Sequence, residues 1–336
     1  MKGPGVLLIE SLDPVGSSAD DARARLAALH DAGFSAHALV VAGPSARSGA
    51  GGSVQWVADA AGLRDAARAA LARARFSVAL VASGAPPVAL ARSLPPGLDM
   101  RWWPTALGAG ASPHGSSGDR AAPDAPRALM LDALEGAIVD PPRGRQGAPL
   151  WDGDYVLAPI PLAPHAGREI FEAFARAARG RSGLEMVVLA DPDPELERIA
   201  RALGVGVRVH FAGEAPGPAA VSWFRAAAAV VLPAAASLAA TLVLRVLDSG
   251  APAIVAGPGA PADALRRWLA AQGCAAGGEG VGLSGALERA LVRGADVVSA
   301  IARAREVAER HRPAAMKGRL REWLPERAEP GGRIAA

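Results

Sequence analysis

Short aliphatic runs alternate along the whole chain with longer stretches in which apolar residues recur every third or fourth position. In the first half "GVLLIES", "SAHALVVAG", "SVQWVAD", "FSVALVAS" and "DMRWWPT" carry the strand pattern. Continuous apolar runs of this length suit strands covered on both faces, as in parallel sheets. "SADDARARLAALHDAG" reads as the helix between the first two strands. Ser17 and Ser18 open it, Asp20 and Asp21 sit in the first turn where the helix dipole favours negative charge, and Gly33 stops it. The second half is more regular. Strands are expected at "DYVLAPIP", "LEMVVLAD", "GVRVHFAG", "AAVVLP" and "APAIVAG", with "GCAAGG" as a further candidate. Helices are expected over His165 to Arg179, Pro194 to Leu203, Pro218 to Ala227, Ser237 to Ser249, Pro261 to Gln272 and Leu283 to Val292. A long final helix runs from Asp296 to about Trp323, interrupted near Pro313. Strand, turn and helix in repetition are the rhythm of βα units, so the expected class is α/β with parallel sheets.

Two stretches break the rhythm. Residues 106 to 127 are rich in Gly, Pro, Ser and Ala and read as a mobile loop, after which "RALMLDALEGAIVD" supplies a last helix or strand. "PPRGRQGAPLWDGD", residues 141 to 154, has the composition of an interdomain hinge. At 336 residues the chain is long enough for two ordinary cores. The expected division is an N-terminal domain over 1–145, a C-terminal domain over 146–312, and a helix and tail over 313–336 packing back on the first domain. Open parallel sheets bind ligands at the carboxyl ends of their strands, near the point where strand order reverses. Two such domains facing each other would place a cleft between those edges.

Composition narrows the function classes. Half of the residues are hydrophobic, but Ala dominates that half and aromatics make up only 4%, so the hydropathy does not signal a membrane protein. The run "AAAAVVLPAAASLAATLVL" alone approaches the roughly 20 residues that span a bilayer, and Pro233 interrupts it. No transmembrane segment is expected. "MKGPGVLLIESLDP" regains charge at Glu10 and Asp13, so it reads as a first strand and not as a secretory leader. Cys274 has no second cysteine to pair with and suits a reducing compartment, so a cytoplasmic location is expected. The net charge is +3, and the Arg residues alternate with acids as they do on solvated helix faces, which argues against a nucleic-acid partner. No His, Cys or Asp cluster has metal-ligand spacing, and neither metal nor cofactor is expected. "DPDPELER", Asp191 to Arg198, reads as the capped acidic start of a helix. Cys274, between Gly and Ala, reads as a small buried residue. Trp102 and Trp103 are adjacent, so in a strand they face opposite sides; one suits the core and the other could stack on a sugar or base.

The order "YVLAPIP…HAGREIFEAFARA", "LEMVVLADPDPELERIARALG", "VRVHFAG", "AVSWFRAAAAVVLP" and "LRVLDSGAPAIVAGPGA" resembles the C-terminal domain of glycosyltransferases of the GT-B fold, in particular the retaining family 4. The carrying features are Gly213 after the "V-x-F" strand, Pro233 closing a buried strand, and "SGAP" before the next strand. The N-terminal "LLIESLDPVGSSADDARARLAALHDAGFSAHALV" is similar to that family's opening unit. The resemblance covers roughly residues 5 to 42 and 154 to 312. It implies two Rossmann-like domains with parallel sheets facing a cleft that holds a nucleotide-sugar donor. Two phosphates require cations or helix N-termini, and ribose hydroxyls require a carboxylate acceptor.

Carried over residue by residue, the resemblance leaves gaps. The family supplies two Glu eight residues apart on the helix after the "LP" strand. Here Arg245 stands where the ribose Glu is expected and Ser237 eight residues earlier, and residues 215 to 247 contain no Asp or Glu in any register. The first-loop Lys falls near "HAG", so His165 is the nearest match, with Arg168 three residues on. "GSS" replaces a glycine pair, leaving Gly16 and Ser17 for close backbone approach. The expected donor-binding set is therefore Gly16, Ser17, His165, Arg168, Gly213, Ser237, Leu238 and Arg245. Ser237 caps its helix and, with Leu238, offers backbone N–H groups to an anion. Arg245 either contacts an anion or pairs with Asp248 at i+3. His114, in the Gly/Ser-rich loop, is the one candidate general base. Two function classes follow: a glycosyltransferase moving a sugar from a nucleotide donor to an acceptor, or an inactive GT-B pseudoenzyme that serves as scaffold for a protein partner. A two-domain nucleotide-sugar epimerase would call for cleft carboxylates, which the acid-free stretch does not offer.

Overall fold

The computed structural model describes residues 5–11, 19–41, 54–57, 66–67, 69–70, 76, 78–83, 99–104, 153–213, 217–233, 240–276 and 281–324. Gly16, Ser17, His114, Ser237, Leu238, the stretch 106–127, "RALMLDALEGAIVD" and most of the 141–154 stretch lie outside the described residues, as do the side chains of Trp102 and Trp103. The chain divides into two compact units: Met1–Asp140 with Ala239–Thr241 and His311–Ala336, and Pro141–Leu238 with Leu242–Arg310.

In the first unit the expected strands form where the aliphatic runs stand: β1 (Gly5–Ser11), β2 (Ser35–Val41), β3 (Val54–Val57), β4 (Val78–Ser83) and β5 (Asp99–Pro104). They pair in parallel in the order β3-β2-β1-β4-β5, with Leu8 of β1 opposite Ala38 and Leu80. Helix α1 (Ala19–Asp31) lies between β1 and β2 and ends just before Gly33. Its Leu26 and Leu29 share a core with Val6 and Leu8. The same core takes in Met316 and Leu320 from the last helix, described below, and Leu324 just after it.

The second unit repeats the plan. Its strands are β6 (Tyr155–Ala158), β7 (Glu185–Val188), β8 (Val209–Phe211), β9 (Ala229–Pro233) and β10 (Ala253–Ala256). Between and after them run α2 (Pro164–Ala178), α3 (Pro194–Ala202), α4 (Gly217–Ala226), α5 (Ala240–Ser249), α6 (Ala260–Ala271), α7 (Leu283–Val292) and α8 (Ala295–Arg310). A break at Pro313 separates α9 (Pro313–Trp323), which belongs to the first unit. The parallel order is β10-β9-β6-β7-β8, so both sheets run 3-2-1-4-5 counted within their own unit. Every residue of β6, β9 and β10 is buried, which explains their uninterrupted apolar sequences. Helix α2 lays Ile170, Phe171, Phe174 and Ala177 on the sheet. Tyr155 is fully buried, meets Trp223 edge to face, and donates its hydroxyl to the Trp223 carbonyl at 2.7 Å.

The structure corrects one element. Residues 273 to 276 of "GCAAGG" form no strand, and among the described residues β10 pairs with β9 alone. The reason is that the backbone donors there are already used: Gly273 N–H bonds to Ala270 O at 2.9 Å and Cys274 N–H to Leu269 O at 2.8 Å, closing the end of α6. Cys274 is nonetheless buried, as its neighbours suggest. Among the described residues no helix is long and apolar enough to cross a membrane.

Candidate functional site

Strand order in the second unit reverses between β6 and β9, and open parallel sheets bind ligands at the carboxyl end of strands at such a reversal. The chain leaves β6 at Ala158, runs through Pro159 to Ala163, and enters α2 at Pro164. Proline suits a first helical position because its missing N–H has no partner there anyway. Ala163 takes the N-cap place in an extended conformation, φ −68° and ψ 146°, and has no side-chain oxygen to accept from the first turn. Gly167 N–H closes the first helical bond on Ala163 O at 2.8 Å. The N–H groups of His165 and Ala166 therefore have no capping acceptor, and the first turn carries no acid.

Helix α3, one strand further along, shows the contrast. The Asp193 carboxylate accepts from Glu195 N–H at 2.8 Å and Leu196 N–H at 3.1 Å, with Glu195 and Glu197 in the first turn. This is the capped acidic start expected of "DPDPELER", and it leaves no positive end for an anion. Two neighbouring βα turns thus differ in kind. One neutralises its own helix end, while the other presents it.

His165 and Arg168 lie three residues apart on α2, hence on one face, and both are exposed. Neither forms a hydrogen bond or ion pair with the described residues. Among the expected donor residues these two are brought together, beside the uncapped helix end. A guanidinium and two N–H groups at one helix start make a site for phosphate or carboxylate.

Gly213 closes the exit of β8. Its φ is 73°, in the left-handed region, and its N–H bonds to Ala190 O at 3.1 Å, tying the end of β8 to that of β7. At the usual strand spacing it lies roughly 10 Å along the sheet edge from β6. The carboxylate of Asp191 stands beside it, with Oδ1 at 3.8 Å from the place a Cβ on Gly213 would take. Asp191 is exposed and forms no hydrogen bond or ion pair with the described residues, and it was concealed in the sequence among the acids that cap α3. Residues 215 to 247 hold no Asp or Glu, whereas Asp191 stands next to Gly213.

Arg245 is placed differently. In α5 only Leu242, Arg245 and Asp248 are partly exposed, at successive i+3 positions on an otherwise buried helix. Arg245 and Asp248 both have partners within the protein. Arg245 also stands five residues into α5, about 7.5 Å from its described start.

No protein-family model matches the chain. No curated protein sequence matches it. Solved structures do. WaaG, a glycosyltransferase involved in lipopolysaccharide biosynthesis, aligns with a TM-score of 0.59 at 13% identity over 96% of this chain and 99% of its own. AviGT4, a glycosyltransferase involved in avilamycin A biosynthesis, aligns with 0.58 at 20% identity, covering 95% of this chain and 96% of its own. The glycosyltransferase SnogD from Streptomyces nogalater aligns with 0.52 at 15% identity, covering 95% and 98%. At such identities the likeness lies in the fold, which is that of the GT-B glycosyltransferases.

Proposed function

We propose that the chain is a glycosyltransferase that binds a nucleotide-sugar at the carboxyl edge of its second sheet and passes the sugar to an acceptor. The observation that carries this reading is the uncapped start of α2 at the end of β6, with His165 and Arg168 uncommitted on one face. Breaking the sugar–phosphate bond leaves negative charge on the departing diphosphate. A guanidinium and a helix N-terminus placed there stabilise that charge as it develops. Gly213 and Asp191 provide a second contact region along the same edge. Gly16, Ser17, Ser237, Leu238 and Arg245 complete the donor set in this reading, and the similarity to family 4 belongs to it too. His114 is its candidate base.

A second reading has its own support. The absence of Asp and Glu from 215 to 247 removes the ribose acceptor that family 4 places after the "LP" strand. A pseudoenzyme acting as scaffold for a protein partner accounts for that loss.

Calorimetric titration with UDP, GDP, ADP and their sugar forms separates the two. Binding of one nucleotide, weakened at least about tenfold by Arg168→Ala, with slow release of that nucleotide from its sugar form, is the result expected of the enzyme. No heat from any of them at about 1 mM overturns the enzyme reading and leaves the scaffold.

A further inference from the structure

A hollow of about 590 Å³ lies in the second unit beside β10, bounded by α6, the first turn of α7 and Glu169 of α2. It meets α2 at Glu169, the residue after Arg168 and one helical turn beyond His165, and is lined by neither of those two. Its volume is in the range of small-ligand sites, roughly 300–1,000 Å³. Ile254, Val255, Leu269, Val281, Leu283 and Ala286 give it an apolar lining.

Four charged side chains reach it: Glu169, Asp263, Arg266 and Arg267. Two of them are committed to the protein. Arg266 pairs with Asp263 Oδ1 at 3.0 Å and also donates to Val255 O at 3.3 Å and Gly257 O at 2.6 Å. The other two, Glu169 on α2 and Arg267 on α6, form no hydrogen bond or ion pair with the described residues. The hollow therefore offers one uncommitted carboxylate and one uncommitted guanidinium from different walls. Gly282, the N-cap of α7, also lines it, with no side-chain cap and no acid in that helix's first turn.

An added strand would meet an edge already partly taken. Pro252 O accepts from Val230 N–H at 2.9 Å, so alternation turns the Val255 and Gly257 carbonyls to the open side of β10. Arg266 already holds both of those acceptors. Beside them the hollow offers apolar surface and two opposite charges.

We propose that this hollow binds a small zwitterion with an apolar body, of the chemistry of a hydrophobic amino acid. Its carboxylate meets Arg267 and the first turn of α7, its ammonium meets Glu169, and its side chain covers Ile254 and Leu269. The site shares α2 with the nucleotide-sugar reading but uses other side chains and does not depend on it.

The test is calorimetric titration of the full chain with L-phenylalanine and L-leucine, and with the single-charge analogues 3-phenylpropionate and phenethylamine. One amino acid is expected to bind with Kd at or below about 1 mM, and each analogue at least about tenfold more weakly. Arg267→Ala and Glu169→Gln, both away from the core, each weaken binding about tenfold. Val281→Trp, at a position already 39% exposed, fills the hollow and abolishes binding without changing the melting temperature. The proposal is overturned if neither amino acid gives heat up to about 10 mM, if the analogues bind as well as the amino acid, or if both charge variants bind like the parent.

Discussion

Gly250 ends α5 with a φ of 80°, and the Arg305 guanidinium from α8 occupies the space that a Cβ there would need. Gly250→Ala therefore meets two penalties, a left-handed backbone and a displaced arginine, and is expected to cost about 1–3 kcal/mol in urea unfolding. In the Arg305→Ala background the backbone penalty remains and the steric one vanishes. The double-mutant cycle is expected to return a coupling of at least about 0.5 kcal/mol, and an additive result would remove the steric account. Cys274 makes a second case. Burial pushes its thiol up to about 11, although Arg310 and Arg303 pull the other way. A thiol whose folded pKa exceeds its unfolded value of 9.0 adds stability below that value and loses it as pH rises through about 11. Tyr155, raised by burial from 10.0 to about 12, acts in the same sense over a higher window. The urea midpoint is expected to fall from about pH 9 upward, less steeply in Cys274→Ala, and iodoacetamide near pH 8 is expected to leave the native thiol intact.

At the level of elements, α2 and α3 invite an exchange. Ala163→Asp gives α2 the cap that Asp193 already gives α3. It is expected to raise stability by about 0.5–1 kcal/mol while reducing nucleotide affinity at least about tenfold, because the new carboxylate occupies the helix end. A stabilised variant with undiminished nucleotide binding would place the donor elsewhere. The strands and helices were legible in the sequence because buried parallel strands and amphipathic helices leave different periods. The described helices end within a few residues of where the pattern placed them, and "GCAAGG", whose described residues form no strand, shows the limit. Burial of Cys274 and Ala276 looks the same in sequence whether it comes from pairing or from the closing turn of α6. The site was legible only in part. Arg168 and His165 are legible as basic residues at the start of α2. Asp191 did not, because sequence cannot separate an acid that caps a helix from one standing two residues before it. The charges of Arg267 and Glu169 are separated by 98 positions, and only folding sets them on one hollow.

For the whole molecule, the decisive connection is α9. Its Met316 and Leu320, with Leu324 beyond it, are buried in the core of the first unit, and Arg321 Nε donates to Ala32 O at 2.8 Å at the end of α1. Truncation after Arg310 removes three large apolar side chains from that core, each worth about 1.5–3 kcal/mol. The first unit is then expected to lose its cooperative unfolding transition while the second, whose core contains none of these residues, keeps its own. Two-step urea unfolding of the truncated chain, with dye binding to exposed apolar surface in the first step, is the measurement. A single transition at the parent's midpoint would show that α9 is dispensable.

The contact between Arg321 and Ala32 joins residues 289 positions apart. A ribosome adding about 5–20 residues per second takes roughly 15–60 s to deliver the second partner after the first has emerged. Throughout that interval Leu26 and Leu29 of α1 lack part of their cover, while the strands of the second unit are synthesised and pair. The first unit to be translated is thus the last to be completed, and the nascent chain is most exposed to aggregation through the half of the protein that is made earliest.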